Sequence, residues 1–114
     1  MLLDVKVELN APLAVVTAVG EMDMSTADLV GAEVLQALTT GCSDVTIDLS
    51  RVTFIDSVSL GMLVKCHKTL RASGGAMMIV SGESTVRRML AISGLDQVFT
   101  IVESWATAAE VAVS

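Results

Sequence analysis

The stretch Val45-Thr46-Ile47-Asp48-Leu49-Ser50-Arg51-Val52-Thr53-Phe54-Ile55-Asp56-Ser57-Val58-Ser59-Leu60-Gly61 decides the fold. Its first five residues alternate apolar and polar, the period of a β-strand. Ser50 to Phe54 breaks that period and reads as a loop. Asp56 is a strong helix N-cap. From Ser57 to about Ala72, Leu60, Leu63, His67 and Leu70 share one face of a helix, which Gly74-Gly75 closes. A strand that feeds a helix and then another strand is the repeating unit of a parallel α/β sheet.

The flanking sequence extends the unit in both directions. Ala76-Met77-Met78-Ile79-Val80 is apolar at every position, as befits a central strand covered on both faces. Ser81-Gly82-Glu83 opens a third helix with Val86, Met89 and Leu90 inward, and Gly94 stands where a C′ residue belongs. Val98 to Val102 reads as a last strand and Ser104 to Val113 as a last helix. Upstream, Val5 to Leu9 alternates, Asn10-Ala11-Pro12 breaks the chain, and Leu13 to Val19 forms a more buried strand, giving an antiparallel hairpin. Gly20-Glu21-Met22-Asp23 then turns into a helix with Ser25 as N-cap and Asp28 as the capping-box acid. Leu29, Ala32, Leu35 and Leu38 read as its inner face, and Gly41 ends it. The order β-β-α-β-α-β-α-β-α predicts a single α/β domain over residues 1–114. Its mixed five-stranded sheet has an antiparallel N-terminal hairpin, then parallel β-α units by right-handed crossovers, with about four helices.

Composition excludes several functions. The chain is 53 % apolar, yet its longest unbroken apolar run is Ala76 to Val80, far short of the ~20 residues a membrane helix needs. Acids outnumber bases 13 to 7, for a net charge of −6, which disfavours nucleic acid and suits a basic partner. Phe54, Phe99 and Trp105 are too few aromatics for a base-stacking surface. Cys42 and Cys66 lack Cys-x-x-Cys spacing and, with His67 alone, make no zinc site; both read as small buried hydrophobes. No metal or cofactor is expected. The start, Met1-Leu2-Leu3-Asp4-Val5-Lys6, lacks the features of a secretory signal, so a cytoplasmic location is expected.

Candidate chemistry gathers where the strand meets the helix. Partners of open α/β sheets are met at the carboxyl ends of strands. A hydroxyl on Ser57 would sit near unpaired N–H groups and the positive end of the helix dipole, a setting that accommodates a phosphate. The plain alternative is that Asp56 caps the helix and Ser57 is an ordinary first-turn residue; the two readings are compatible. Asp23 is either a turn residue or a neighbour of that site. Asp23, Asp48 and Asp56 could suggest a phosphoacceptor enzyme, but Asp48 lies mid-strand and no Gly-x-Ser-x-Gly elbow exists, so no catalysis is expected. His67 and Trp105 read as packing residues, Arg87 and Arg88 as a solvated face, and Met22, Met24, Met62, Met77, Met78 and Met89 as core filling.

Gly20-Glu21-Met22-Asp23 after the second strand, together with Asp56-Ser57-Val58-Ser59-Leu60-Gly61, resembles the STAS domain of bacterial anti-sigma factor antagonists. Gly74-Gly75 before an apolar strand, Val86-Arg87-Arg88-Met89-Leu90 and Ser93-Gly94-Leu95 extend the resemblance over nearly the whole chain. It implies a protein that binds an anti-sigma factor with serine kinase activity and so releases a sigma factor, regulating transcription. Phosphorylation of the Ser after the motif Asp, here Ser57 after Asp56, would end that binding, and a phosphoserine phosphatase would restore it. Asp23, Asp56, Val58, Ser59, Leu60 and Gly61 would form the neighbourhood of the phosphosite and the partner-binding surface. The sequence departs from the family pattern at Ser59, where Gly is usual, and at Val58, where a small hydroxyl residue or Ala is usual. Ser59 thereby puts a side chain on the surface a kinase would approach and is a rival phosphosite. The alternative function is a STAS binding module without the switch, a subunit of a transport complex or a signalling scaffold.

Overall fold

The computed structural model describes residues 3–82 and 84–105. Its elements are β1 (Leu3–Asn10), β2 (Leu13–Met22), α1 (Ala27–Thr39), β3 (Asp44–Ile55), α2 (Ser57–Ala72), β4 (Ala76–Val80), α3 (Thr85–Ile92), a 3-10 turn (Leu95–Gln97) and β5 (Thr100–Val102). The five strands form one sheet in the order β1-β2-β3-β4-β5. β1 and β2 pair antiparallel and every later pair is parallel, as the sequence predicts. The predicted last helix falls, past Trp105, outside the described residues.

Because neighbours in the sheet are neighbours in sequence, right-handed crossovers place α1, α2 and α3 on one face. Ala14, Val16 and Ala18 of β2, Val45, Ile47 and Leu49 of β3, and Met77 and Ile79 of β4 meet Val30, Val34, Leu63, Leu70, Val86 and Leu90 there in the main core. Strand alternation turns Thr46 and Asp48 to the opposite face, together with Val80 and Val102, which form a smaller cluster. Cys42 and Cys66 are free and buried, and burial pushes the Cys66 thiol up to about 11.

Several expectations need correction. The inner face of α1 is Ala27, Val30, Val34 and Ala37, whereas Leu29 and Leu35 are about half exposed. A series spaced strictly by three drifts about 60° per step around a helix, so Leu29 to Leu38 never formed one stripe. The α1 N-cap is Thr26, not Ser25, and the α3 N-cap is Ser84, whose hydroxyl accepts the Arg87 N–H at 3.1 Å. Ser50 to Phe54 is not a loop but the second half of β3, irregularly paired with β2. β3 carries extra residues there, at shifts between Thr17 and Val19 and between Gly20 and Glu21 of β2. Such bulges erase the period-two signal and bend the strand where it approaches a site. β4 is interior, as predicted, but the middle strand is β3.

Candidate functional site

β2 and β3 end side by side, Met22 opposite Ile55, and both chains turn there. The Asp56 N–H donates to the Met22 carbonyl at 3.2 Å, and the extended backbone of Asp56 starts α2. Asp56 Oδ1 accepts the Ser59 N–H at 2.8 Å, the N-cap bond the sequence predicts. Asp56 Oδ2 accepts the Met24 N–H at 2.9 Å, which ties the β2–α1 turn to the same carboxylate. That turn is fixed from within. Asp23 Oδ1 accepts the Ser25 N–H at 2.9 Å and the Ser25 hydroxyl at 2.6 Å, and Thr26 Oγ1 accepts the Asp23 N–H at 2.9 Å while donating to the Glu21 carbonyl at 2.9 Å.

Both carboxylates are held in the charged form. The Ser25 hydroxyl, then the Ser25 N–H, lower the Asp23 carboxyl below its ordinary value. At Asp56 partial loss of hydration opposes the charge, but hydrogen bonds from Ser59 and Met24 outweigh it and bring the carboxyl below the usual value as well. The Asp23 charge also disfavours ionisation of Asp56, so the two groups share one electrostatic neighbourhood.

Ser57 is exposed in the first turn of α2. The Asp56 carbonyl takes the Leu60 N–H at 3.0 Å and its carboxylate takes that of Ser59, so the N–H groups of Ser57 and Val58 have no intramolecular partner among the described residues. A negatively charged group on Ser57 would therefore stand beside open donors and the positive end of a 16-residue helix. Ser59 lies elsewhere. It is 0 % exposed rather than on the surface, because it shares the inward stripe of α2 with Leu63, Cys66 and Leu70. Its hydroxyl is sealed beside the Asp56 carboxylate without a hydrogen bond of good geometry.

The surface thus brings together Asp23, Asp56, Ser57, Val58 and, one turn along, Gly61, where an added Cβ would meet nothing within 4 Å. Leu60 is buried at 7 % exposure and supports the site from below. Two exposed apolar residues lie on the segments that meet here: Met24, 72 % exposed rather than filling the core as the sequence reading has it, and Phe54 at 46 %, which that reading did not place at the site. With Val58 at 47 %, they leave apolar area exposed on the chain segments that border Asp56 and Ser57. The signals for them were positional, since Met24 sits in the polar turn Asp23-Met24-Ser25 and Phe54 alternates with buried Ile55.

Asp48 does not join these acids. On the opposite face of the sheet, its Oδ1 accepts the Ser50 N–H and hydroxyl at 2.9 and 2.6 Å, and its Oδ2 accepts Trp105 Nε1–H at 2.8 Å. His67 packs edge-on against Phe99 with ring centres 5.6 Å apart. Among the described residues, no three His, Cys, Asp or Glu side chains gather where they could hold a metal ion, and no helix is long and apolar enough to cross a membrane.

Comparison with known proteins places this geometry. The STAS domain family model matches residues 4–108. The anti-sigma F factor antagonist of Paenibacillus polymyxa is 28 % identical over 105 residues, covering 91 % of this chain and 90 % of the relative. The crystal structure of an anti-sigma factor antagonist from Mycobacterium paratuberculosis superposes with a TM-score of 0.87 at 26 % identity, covering 98 % of this chain and 95 % of that one. The anti-sigma factor antagonist SpoIIAA in its unphosphorylated form, at 17 % identity, shares the fold with a TM-score of 0.74 over 96 % of this chain and 97 % of its own. The chain belongs to the STAS domain family, and anti-sigma factor antagonists are among the relatives it resembles over nearly its whole length.

Proposed function

We propose that this protein is an anti-sigma factor antagonist that works by binding rather than catalysis, and that Ser57 is its switch. Its partner is an anti-sigma factor with serine kinase activity, met in the cytoplasm on the surface formed by Asp23, Met24, Phe54, Ser57, Val58 and Gly61. Binding to the unphosphorylated form releases a sigma factor, phosphorylation of Ser57 ends it, and a phosphoserine phosphatase restores it.

The observation that carries this reading is the exposed Ser57 in the first turn of α2, next to the Asp56 carboxylate that caps it. Phosphorylation adds about −1.5 to −2 charge at neutral pH. Open N–H groups and the helix dipole tolerate that charge within the fold. A partner surface packed against a neutral hydroxyl would instead have to desolvate a dianion beside Asp56 and Asp23. A loss of about 3 kcal/mol weakens binding more than a hundredfold, enough for a switch without a large conformational change. The burial of Ser59 supports Ser57 as the acceptor, since a kinase cannot reach a hydroxyl sealed under the first turn.

The test is capture from the native cell followed by incubation with ATP and phosphosite mapping. The expected result is a captured anti-sigma factor that phosphorylates the parent chain on Ser57 and leaves Ser57→Ala unmodified though still bound. Phosphate on another residue, or capture of no such factor, would contradict the proposal.

A further inference from the structure

The sheet begins at β1, whose eight residues pair on one side only among the described residues. Proteins commonly blunt such an edge with proline, a bulge, shortness or charged side chains. β5, at the other edge, is three residues long. β1 has neither proline, bulge nor shortness: its register against β2 runs unbroken from Leu3 opposite Gly20 to Asn10 opposite Leu13, and Pro12 lies beyond its end. Its charges are of both signs, so they repel an incoming strand in some registers and match it in others. Asp4, Lys6 and Glu8 are exposed on one face, alternating in sign. On the other face Val5 and Val7 are half-buried and Leu9 is 53 % exposed.

That charge order constrains what the edge can accept. Two copies of β1 meeting about a twofold axis pair antiparallel, and side chains keep to their own faces only if the axis passes through a residue. An axis through Lys6 sets Lys6 against Lys6 and Asp4 against Glu8. Axes through Asp4 or Glu8 also set like charges against each other, which destabilises a strand pair. An axis through Val7 sets Lys6 against Glu8 of the second copy twice, Val5 against Leu9 twice, and Asp4 against Asn10. An axis through Val5 brings Asp4 to Lys6 but engages only Leu3 to Val7 of the described strand. The Val7 register joins the longest stretch with opposite charges facing.

We propose that β1 pairs with β1 of a second copy of this chain, antiparallel and centred on Val7, joining two sheets into one of ten strands. The interface leaves the Ser57 surface at the ends of β2 and β3 outside it, so each copy keeps its own site. The inference stands independently of the proposed function.

Sedimentation of the full chain from micromolar to millimolar concentration tests it, with circular dichroism to verify that each variant folds. The parent is expected to show a monomer–dimer equilibrium. Lys6→Glu leaves two acids facing each other in both flanking pairs, and Glu8→Lys leaves two bases facing there, so each should weaken dimerisation about tenfold or more. Mixed in equal amounts, the two variants should dimerise again, because every facing pair between them is then opposite in charge. A parent that stays monomeric throughout leaves the edge to solvent or to a strand of another protein and overturns the proposal. A dimer that survives both substitutions, or variants that fail to rescue each other, overturns it as well.

Discussion

The Asp56 carboxylate bonds in two directions, to the Ser59 N–H within its own helix at 2.8 Å and to the Met24 N–H across the sheet end at 2.9 Å. One side chain therefore caps α2 and fixes the β2–α1 turn, which makes the position of Ser57 relative to Asp23 a property of the fold rather than of a mobile loop. Asp56→Ala removes both bonds and is expected to lower stability by about 1–2 kcal/mol, a typical N-cap loss. Asp56→Asn, which keeps an acceptor, should lose less. Urea denaturation measures both, and equal midpoints for Asp56→Ala and the parent would mean the carboxylate anchors nothing.

Acid should weaken the same region first. The carboxyl groups of Asp23 and Asp56 lie below their ordinary value of 3.8 in the folded chain. A depressed folded value means the unfolded chain takes up protons first, so the contribution is fully present above the ordinary value and is lost as pH falls through the lower folded values. The thermal midpoint is expected to decline below about pH 4 for this reason. The double substitution Asp23→Asn with Asp56→Asn should flatten that decline, and an unchanged slope would remove these two groups as its cause.

Ser59 carries a different expectation. Its hydroxyl is buried without a hydrogen bond of good geometry, a state that costs free energy. Ser59→Ala should leave stability unchanged or raise it by up to about 1 kcal/mol, with phosphorylation on Ser57 intact. A clear loss of stability would reveal a bond to Asp56 stronger than the geometry implies.

Gly75 tests the α2–β4 connection. A Cβ there would stand 1.7 Å from the Ser43 carbonyl oxygen, a backbone atom with no rotamer in which to retreat. Gly75→Ala is therefore expected to destabilise by about 3 kcal/mol or more, measured by denaturation against the parent. At Gly61, where a Cβ has open space, Ala should be tolerated by the fold.

Much of this architecture was legible in the sequence because local signals agreed with one another. Asp56 before the α2 stripe, Gly41, Gly74 and Gly94 at positive φ after the helices, and the apolar run Ala76 to Val80 all point to one arrangement. The second half of β3 was hidden because its bulges are held by tertiary bonds that no periodicity records, such as the Thr53 hydroxyl donating to the Gly20 carbonyl at 3.3 Å. The depth of Ser59 was missed for another reason. Serine in a first turn reads as surface until the stripe through Leu63, Cys66 and Leu70 is extended one step back to the cap. Met24 joins the site through a bond between distant segments, its N–H to the Asp56 carboxylate, which composition alone cannot reveal.

The sharpest measurement is calorimetric titration of the kinase-type anti-sigma factor with three forms of this chain: the parent, Ser57→Glu and the parent phosphorylated on Ser57. A negative charge at the mouth of α2 is expected to reduce affinity by about a hundredfold while the melting temperature stays near that of the parent. Equal affinity for all three forms, with the fold intact in each, would contradict the account.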